Sequence, residues 1–268
     1  MRDFDAILNF RHTGDWGPGA VEVRWVESAR PTMPEVEAVI GRAWSDALAR
    51  PGIQLFDGPM CRLECAEVSP PGEGGRLRLS LAPTSYKTFL GTNLSHPELA
   101  DRYGDAILAN PVGVSPALET ADGFLMLGRR CGSVAYYPGR VHPFAGALEP
   151  RDGDDVFAAV RRELAEELSL ADADVTDLRC AGLVEDRALR QPELIFLARC
   201  GLTKARVETT LDPVEHRGTW SARATRDAIE AALDDPDLTP VAVASLLLWG
   251  RARFGAKWFG SRARERTS

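Results

Sequence analysis

One fourteen-residue stretch, from Asp155 to Leu168, constrains the fold more than any other, because it must satisfy two demands on a single helix. Val156, Val160, Leu164 and Leu168 recur at helical spacing and form an apolar stripe, which should pack the helix onto a sheet. Glu163, Glu166 and Glu167 are related by i, i+3 and i+4, so three carboxylates share another face. Glu163 and Glu167 repel at four-residue spacing, at a cost of a few tenths of a kcal/mol in an isolated helix. Arg162 relieves part of this by pairing with Glu166.

The neighbouring segments supply such a sheet. Gly123 to Arg130 reads as a buried strand, and two more are expected near Ala181 to Glu185 and Leu194 to Cys200. Late helices are expected near Ala222 to Leu233 and Val241 to Phe254. Upstream, Thr32 is placed as N-cap of a helix with Pro34 in its first turn, an apolar stripe from Val36 to Leu48, and a stop before Pro51. Met60 to Val68 and Arg76 to Ala82 are read as extended segments, separated by the turn-forming run 70–75. Arg76 to Leu81 alternates, as a half-buried antiparallel strand does. A short helix is expected around Pro97 to Tyr103, and the texture of the chain changes near residue 112.

Composition narrows the function. The 268 residues carry 32 basic and 39 acidic side chains, a net charge of −7, which argues against nucleic-acid binding as the main role. An acidic protein acting on an anionic substrate needs a cation as mediator. Only three of the basic residues are lysines, a bias that codon usage in a GC-rich genome explains. The five cysteines contain no Cys-x-x-Cys, which fits reduced thiols and no zinc site. The stretch from Val241 to Trp249 is too short to span a bilayer, and the acidic opening residues do not fit a signal peptide, so a cytoplasmic, non-membrane protein is expected. Gly-x-Ser-x-Gly, P-loop and Gly-x-Gly-x-x-Gly patterns are absent.

Carboxylates clustered on one helical face suit a hard divalent ion such as Mg²⁺, although most Glu-rich faces are merely solvated. The order of the surrounding residues makes the difference. Gly146, Glu149 and Asp152, followed by Arg162-Glu163-Leu164-Ala165-Glu166-Glu167-Leu168-Ser169-Leu170, resemble the Nudix box, G-x5-E-x7-R-E-U-x-E-E-x-G-U, with U aliphatic. Two departures stand out. Counting from Gly146 puts the first acid at Asp152, whereas counting back from Arg162 puts it at Asp154, so the loop is two residues longer. Ser169 occupies the place of the second glycine.

Other segments resemble the Nudix branch that cleaves UDP-glucose and UDP-galactose. These are Leu55 to Pro59, Thr84 to Asn93, and Asn110 to Val114 leading to Asp122. The resemblance implies an α/β protein. Residues 1–111 would be an N-terminal α+β extension contributing to the substrate pocket, and residues 112–268 a Nudix α/β/α sandwich. It implies Mg²⁺- or Mn²⁺-dependent hydrolysis of a nucleotide sugar, with Arg162, Glu163, Glu166 and Glu167 as catalytic residues. Metal would be held by the three glutamates, with a backbone contribution near Gly146. Tyr86, Phe89, Thr92, Asn93 and Arg187 are the substrate-binding candidates, and Glu215 is a candidate extra carboxylate. His142 and His216 are read as structural hydrogen bonders. Two alternatives remain open: hydrolysis of ADP-ribose or another nucleoside diphosphate derivative, and a non-catalytic domain that senses a nucleotide sugar. Oligomeric state and general base are not legible at this level.

Overall fold

The helix at residues 155–168 does find its sheet. The computed structural model describes residues 3–50, 55–70, 74–132 and 134–263. Eleven strands appear among these residues: β1 (Leu8–Trp16), β2 (Val21–Trp25), β3 (Pro59–Val68), β4 (Leu77–Ser85), β5 (Gly113–Glu119), β6 (Phe124–Arg130), β7 (Val141–His142), β8 (Gly146–Ala147), β9 (Val175–Asp186), β10 (Gln191–Cys200) and β11 (His216–Arg223). The helices are α1 (Pro34–Leu48), α2 (Tyr86–Phe89), α3 (Leu99–Tyr103), α4 (Val156–Leu168), α5 (Lys204–Glu208), α6 (Arg226–Ala232), α7 (Pro240–Phe254) and α8 (Ala256–Ala263).

An eight-stranded sheet runs β1-β9-β10-β5-β6-β11, with β7 beside β6 and β8 beside β5. Its one parallel pair, β10 with β5, sets Glu193 opposite Gly113. A smaller sheet runs β2-β4-β3. Val156, Val160, Leu164 and Leu168 of α4 are buried in one core with Val114, Leu118, Leu194 and Phe196 of the large sheet and Leu77, Leu79 and Leu81 of the small one. On the opposite face Leu246, Leu247 and Leu248 of α7 are buried with Leu125, Leu127, Val184 and Ile195. The architecture is a mixed α/β sandwich, with helices on both faces of the large sheet. No helix among the described residues is long and apolar enough to cross a membrane.

Burying the four stripe residues of α4 is worth about 1.5–3 kcal/mol each, which outweighs the Glu163–Glu167 repulsion several-fold. Asp155 caps the helix by accepting the Phe157 and Ala158 N–H groups at 2.9 and 3.1 Å. At the other end Ser169 takes a left-handed conformation (φ 52°), and the Leu170 N–H reaches back to the Leu164 carbonyl at 3.3 Å.

The structure differs from the sequence reading in several places. Met33, not Thr32, is the cap residue of α1 and offers no side-chain bond; Pro34 at the first position has no N–H to satisfy. Residues 8–16, assigned to the extension, are an edge strand of the large sheet, antiparallel to β9. Residues 113–119 form a strand despite Pro116. The segment expected to be helical from Ala222 is still β11 there, and α6 begins only at Arg226. The two extended segments pair as an antiparallel hairpin; residues 71–73 of their turn, and Pro51, lie outside the described residues.

Candidate active site

The three glutamates of α4 meet different surroundings. Glu163 and Glu167 are buried, 7% and 4% exposed, whereas the Glu166 side chain is half exposed. Glu163 can be buried because residue 146 is glycine: a Cβ there would lie 2.1 Å from the Glu163 carboxylate. Glu167 accepts the Ala145 N–H at 3.0 Å through one oxygen and meets His216 Nε2 at 2.5 Å through the other. Ligand atoms of Glu167, Glu215 and His216 all lie within 4.8 Å of one another, with Glu215 on the exposed side. Arg162 donates to Glu163 (2.6 Å), Glu166 (3.2 Å), both oxygens of Asp152 (2.9 and 3.1 Å) and the Ala147 carbonyl (3.3 Å). One guanidinium therefore ties the helix to the loop that follows β8.

Burial without enough counter-charge leaves these acids reluctant to ionise. Desolvation pushes Glu163 up to about 7, against the pull of Arg162 and with a further push from Glu167. Glu167 is held well above the carboxylate range by burial and by Glu215. Glu193 is pushed up to about 8 by burial, although the Ser115 hydroxyl donates to it at 2.5 Å; Asp186 and Glu163 add to the rise. Its carboxylate packs on Gly113, where a Cβ would lie 1.8 Å away. His216 is lowered to about 4 by burial and by Arg130. Hard oxygen donors, crowded and under-neutralised, fit a divalent cation.

Arg130 is the complementary feature. It is 5% exposed, its Nε has no hydrogen-bond partner, and no carboxylate among the described residues lies within ion-pair distance. Its guanidinium stacks 4.6 Å from the Tyr136 ring. Its charge favours ionisation of Glu167 and Glu193 at longer range, and a buried cation without a close ion pair suits an anion. Close by, the Tyr137 hydroxyl donates to buried Asp186 at 2.7 Å. None of Arg130, Tyr136, Tyr137, Asp186 or Glu193 was singled out from the sequence as a site residue. The readable signal was an acid at 193 opening an apolar run, Leu194 to Leu197.

The hydrogen bonds of the remaining candidates go to groups other than the helix glutamates. Thr92 and Asn93 are fully buried, in a π-helical turn (Leu90–Leu94). The Asn93 amide donates to the Leu189 and Arg190 carbonyls (3.0 and 3.2 Å), and its oxygen accepts the Asn110 N–H at 2.9 Å. Thr92 Oγ1 donates to the Thr88 carbonyl and accepts the Ala109 N–H. These groups bracket three segments of the fold, and the amide of Asn93, a substrate-binding candidate, is engaged within the protein. Phe89 is buried with Met60 and Ala109, and Tyr86 and Ala147 pack on that cluster. Arg187 is exposed and donates to the Leu8 carbonyl at 3.0 Å, which ties it to β1 rather than to the acids.

No family model matches the chain. The chain is 30% identical to the uridine diphosphate glucose pyrophosphatase NUDT22 of Bos taurus over 258 residues, covering 84% of this chain and 88% of that protein. With the protein of the same name from Homo sapiens it is also 30% identical, covering 84% of each. The chain belongs to the Nudix hydrolase family. A mutT/nudix family protein from Listeria innocua superposes on 54% of this chain and 94% of its own, with a TM-score of 0.42 and 16% identity. In this Nudix chain the ambiguity of the lengthened loop resolves structurally. Asp152 is the acid that meets Arg162 and also accepts the Glu149 N–H at 2.8 Å, so the two extra residues follow it. Asp154 instead accepts Trp25 Nε1 at 3.1 Å, which joins the small sheet to the Nudix box.

Proposed function

We propose that this Nudix hydrolase cleaves the diphosphate of a nucleotide sugar, UDP-glucose or UDP-galactose, to UMP and sugar 1-phosphate. The observation that carries the reading is a pair of buried glutamates, Glu163 and Glu167, with Glu215 beside them and close by a buried arginine, Arg130, whose Nε has no hydrogen-bond partner. Glu163, Glu167 and Glu215 would hold Mg²⁺ or Mn²⁺, with half-exposed Glu166 at the edge. When bound, the ion neutralises the diphosphate and makes water a better nucleophile near pH 7. Arg162 fixes the direction of Glu163 and holds Asp152 against the helix, so the loop and α4 move as one body. Arg130 would take a phosphate oxygen and so relieve its own burial. The segment 86–94 acts as a wall: Phe89 packs with Met60 and Ala109, beside Ala147 of the box. The choice of UDP-sugar rests on the kinship with the NUDT22 proteins. A small-molecule substrate, with neither nucleic acid nor membrane as partner, suits the charge of −7. Five unpaired thiols favour the cytoplasm.

The test is a panel of UDP-glucose, UDP-galactose, ADP-glucose and ADP-ribose incubated with Mg²⁺ or Mn²⁺, with products separated by chromatography. UDP-sugars should give the highest kcat/KM, and Glu167→Gln should lose at least a hundredfold. A preference for ADP-ribose would replace the substrate but keep the chemistry. Near-normal turnover by Glu167→Gln would remove the chemistry as well.

A further inference from the structure

We infer that His216 is a positioning residue, holding Glu167 in the one orientation that serves a bound cation; this rests on the metal reading proposed above. The geometry begins with a β-bulge. Along β11 the register steps from His216 opposite Arg130 to Gly218 opposite Arg129, so Arg217 is an extra residue. Bulges re-aim side chains, and this one accompanies an imidazole that is wholly buried.

Space for the ring comes from Gly128 on the neighbouring strand, where a Cβ would lie 2.3 Å from His216 Nδ1. Phe144 closes the pocket edge-on, its centroid 5.3 Å from that of the imidazole. Nδ1 has no hydrogen-bond partner, whereas Nε2 meets a Glu167 oxygen at 2.5 Å. When Glu167 is ionised, as a cation ligand must be, its oxygen can only accept, so the ring carries its proton on Nε2 and donates it to Glu167. With the Ala145 N–H on the other oxygen, both ends of the carboxylate are pinned from the protein side. Each oxygen retains a second lone pair, and the freedom lost on binding an ion has already been removed by the fold. A purely structural histidine would have no reason to spend its only hydrogen bond on a ligand of the site.

Mn²⁺ binding to the metal-stripped full-length chain, followed by electron paramagnetic resonance, tests this without substrate. His216→Ala should weaken Mn²⁺ binding about 10- to 100-fold, the range typical for losing a partner that orients a ligand. His216→Gln keeps an amide donor and should recover part of the loss. With substrate present, the half-saturating metal concentration should shift far more than kcat at saturating metal. Binding by His216→Ala within twofold of wild type would overturn the inference. A loss as complete as in Glu167→Gln, without rescue by His216→Gln, would overturn it too, since His216 would then be a ligand itself. If His216→Ala does not fold, Gly128→Ala, which pushes the ring off its seat, carries the test by the same criterion. Absence of Mn²⁺ binding by the wild type would remove the metal reading along with this one, whereas wild-type binding with no effect of His216 would remove this one alone.

Discussion

Glu193→Gln should stabilise the metal-free protein, and the gain should grow with pH. Glu193 is 5% exposed and pushed up to about 8, from an ordinary value of 4.5, chiefly by burial. Because the folded value lies above the unfolded one, the wild type keeps its full stability below about pH 4.5 and loses it progressively up to about pH 8. At 1.36 kcal/mol per unit, a rise from 4.5 to 8 sets a ceiling of about 5 kcal/mol on the loss at high pH. Water drawn to the ionised group lowers this, so a difference of about 1–3 kcal/mol at pH 8 is the expectation. Glutamine preserves the shape, and its carbonyl can still accept the Ser115 hydroxyl. Urea unfolding in EDTA at pH 5, 6, 7 and 8 measures the difference between variant and wild type; because Glu163 and Glu193 repel, relief of that repulsion is part of the gain. Parallel stability curves, or a wild type more stable than the variant at pH 8, would refute the claim that burial leaves this carboxylate uncompensated.

Ser169→Gly should stabilise by about 0.5–1 kcal/mol, because φ at this position is positive and glycine pays no steric cost there; a fall in the urea midpoint would contradict it. Gly146→Ala should displace the Glu163 carboxylate and lower kcat/KM at least tenfold while leaving the circular dichroism spectrum native, since the added methyl has nowhere else to go. Asn93→Ala should destabilise by about 2–4 kcal/mol by leaving the Leu189 and Arg190 carbonyls and the Asn110 N–H without their partner. A changed preference between UDP-glucose and ADP-glucose at unchanged stability would instead return Asn93 to the substrate.

The elements that periodicity could reveal were those whose two sides differ, as in α4, or whose polar residues alternate, as in β4. Strands buried on both faces carry no such alternation, and β5, which contains Pro116, was not among the expected strands. β11 looked helical near its end because Ala222 and Ala224 suit either state, so tertiary pairing with β6 decided. The glutamates of α4 were legible because their spacing is local and matches a known box. His216 was not, because its partner Glu167 lies 49 positions away and its seat, Gly128, 88 positions away. Arg130 was equally silent: an arginine at a strand end announces itself only when the structure buries it and leaves its Nε without a hydrogen-bond partner.

The placement of β1 bears on how the chain is made. Its partner β9 pairs Leu8 with Asp186 and Trp16 with Cys180, so some 170 residues must be synthesised between them. At roughly 5–20 residues per second, the first strand waits on the order of ten seconds for the surface it will join. Throughout that wait Leu8 and Trp16, both almost wholly buried in the finished molecule, have no sheet to cover them. The large sheet is thus closed at that edge by a segment made well before its partner, and until β9 emerges the nascent chain is exposed to wrong pairing at that strand.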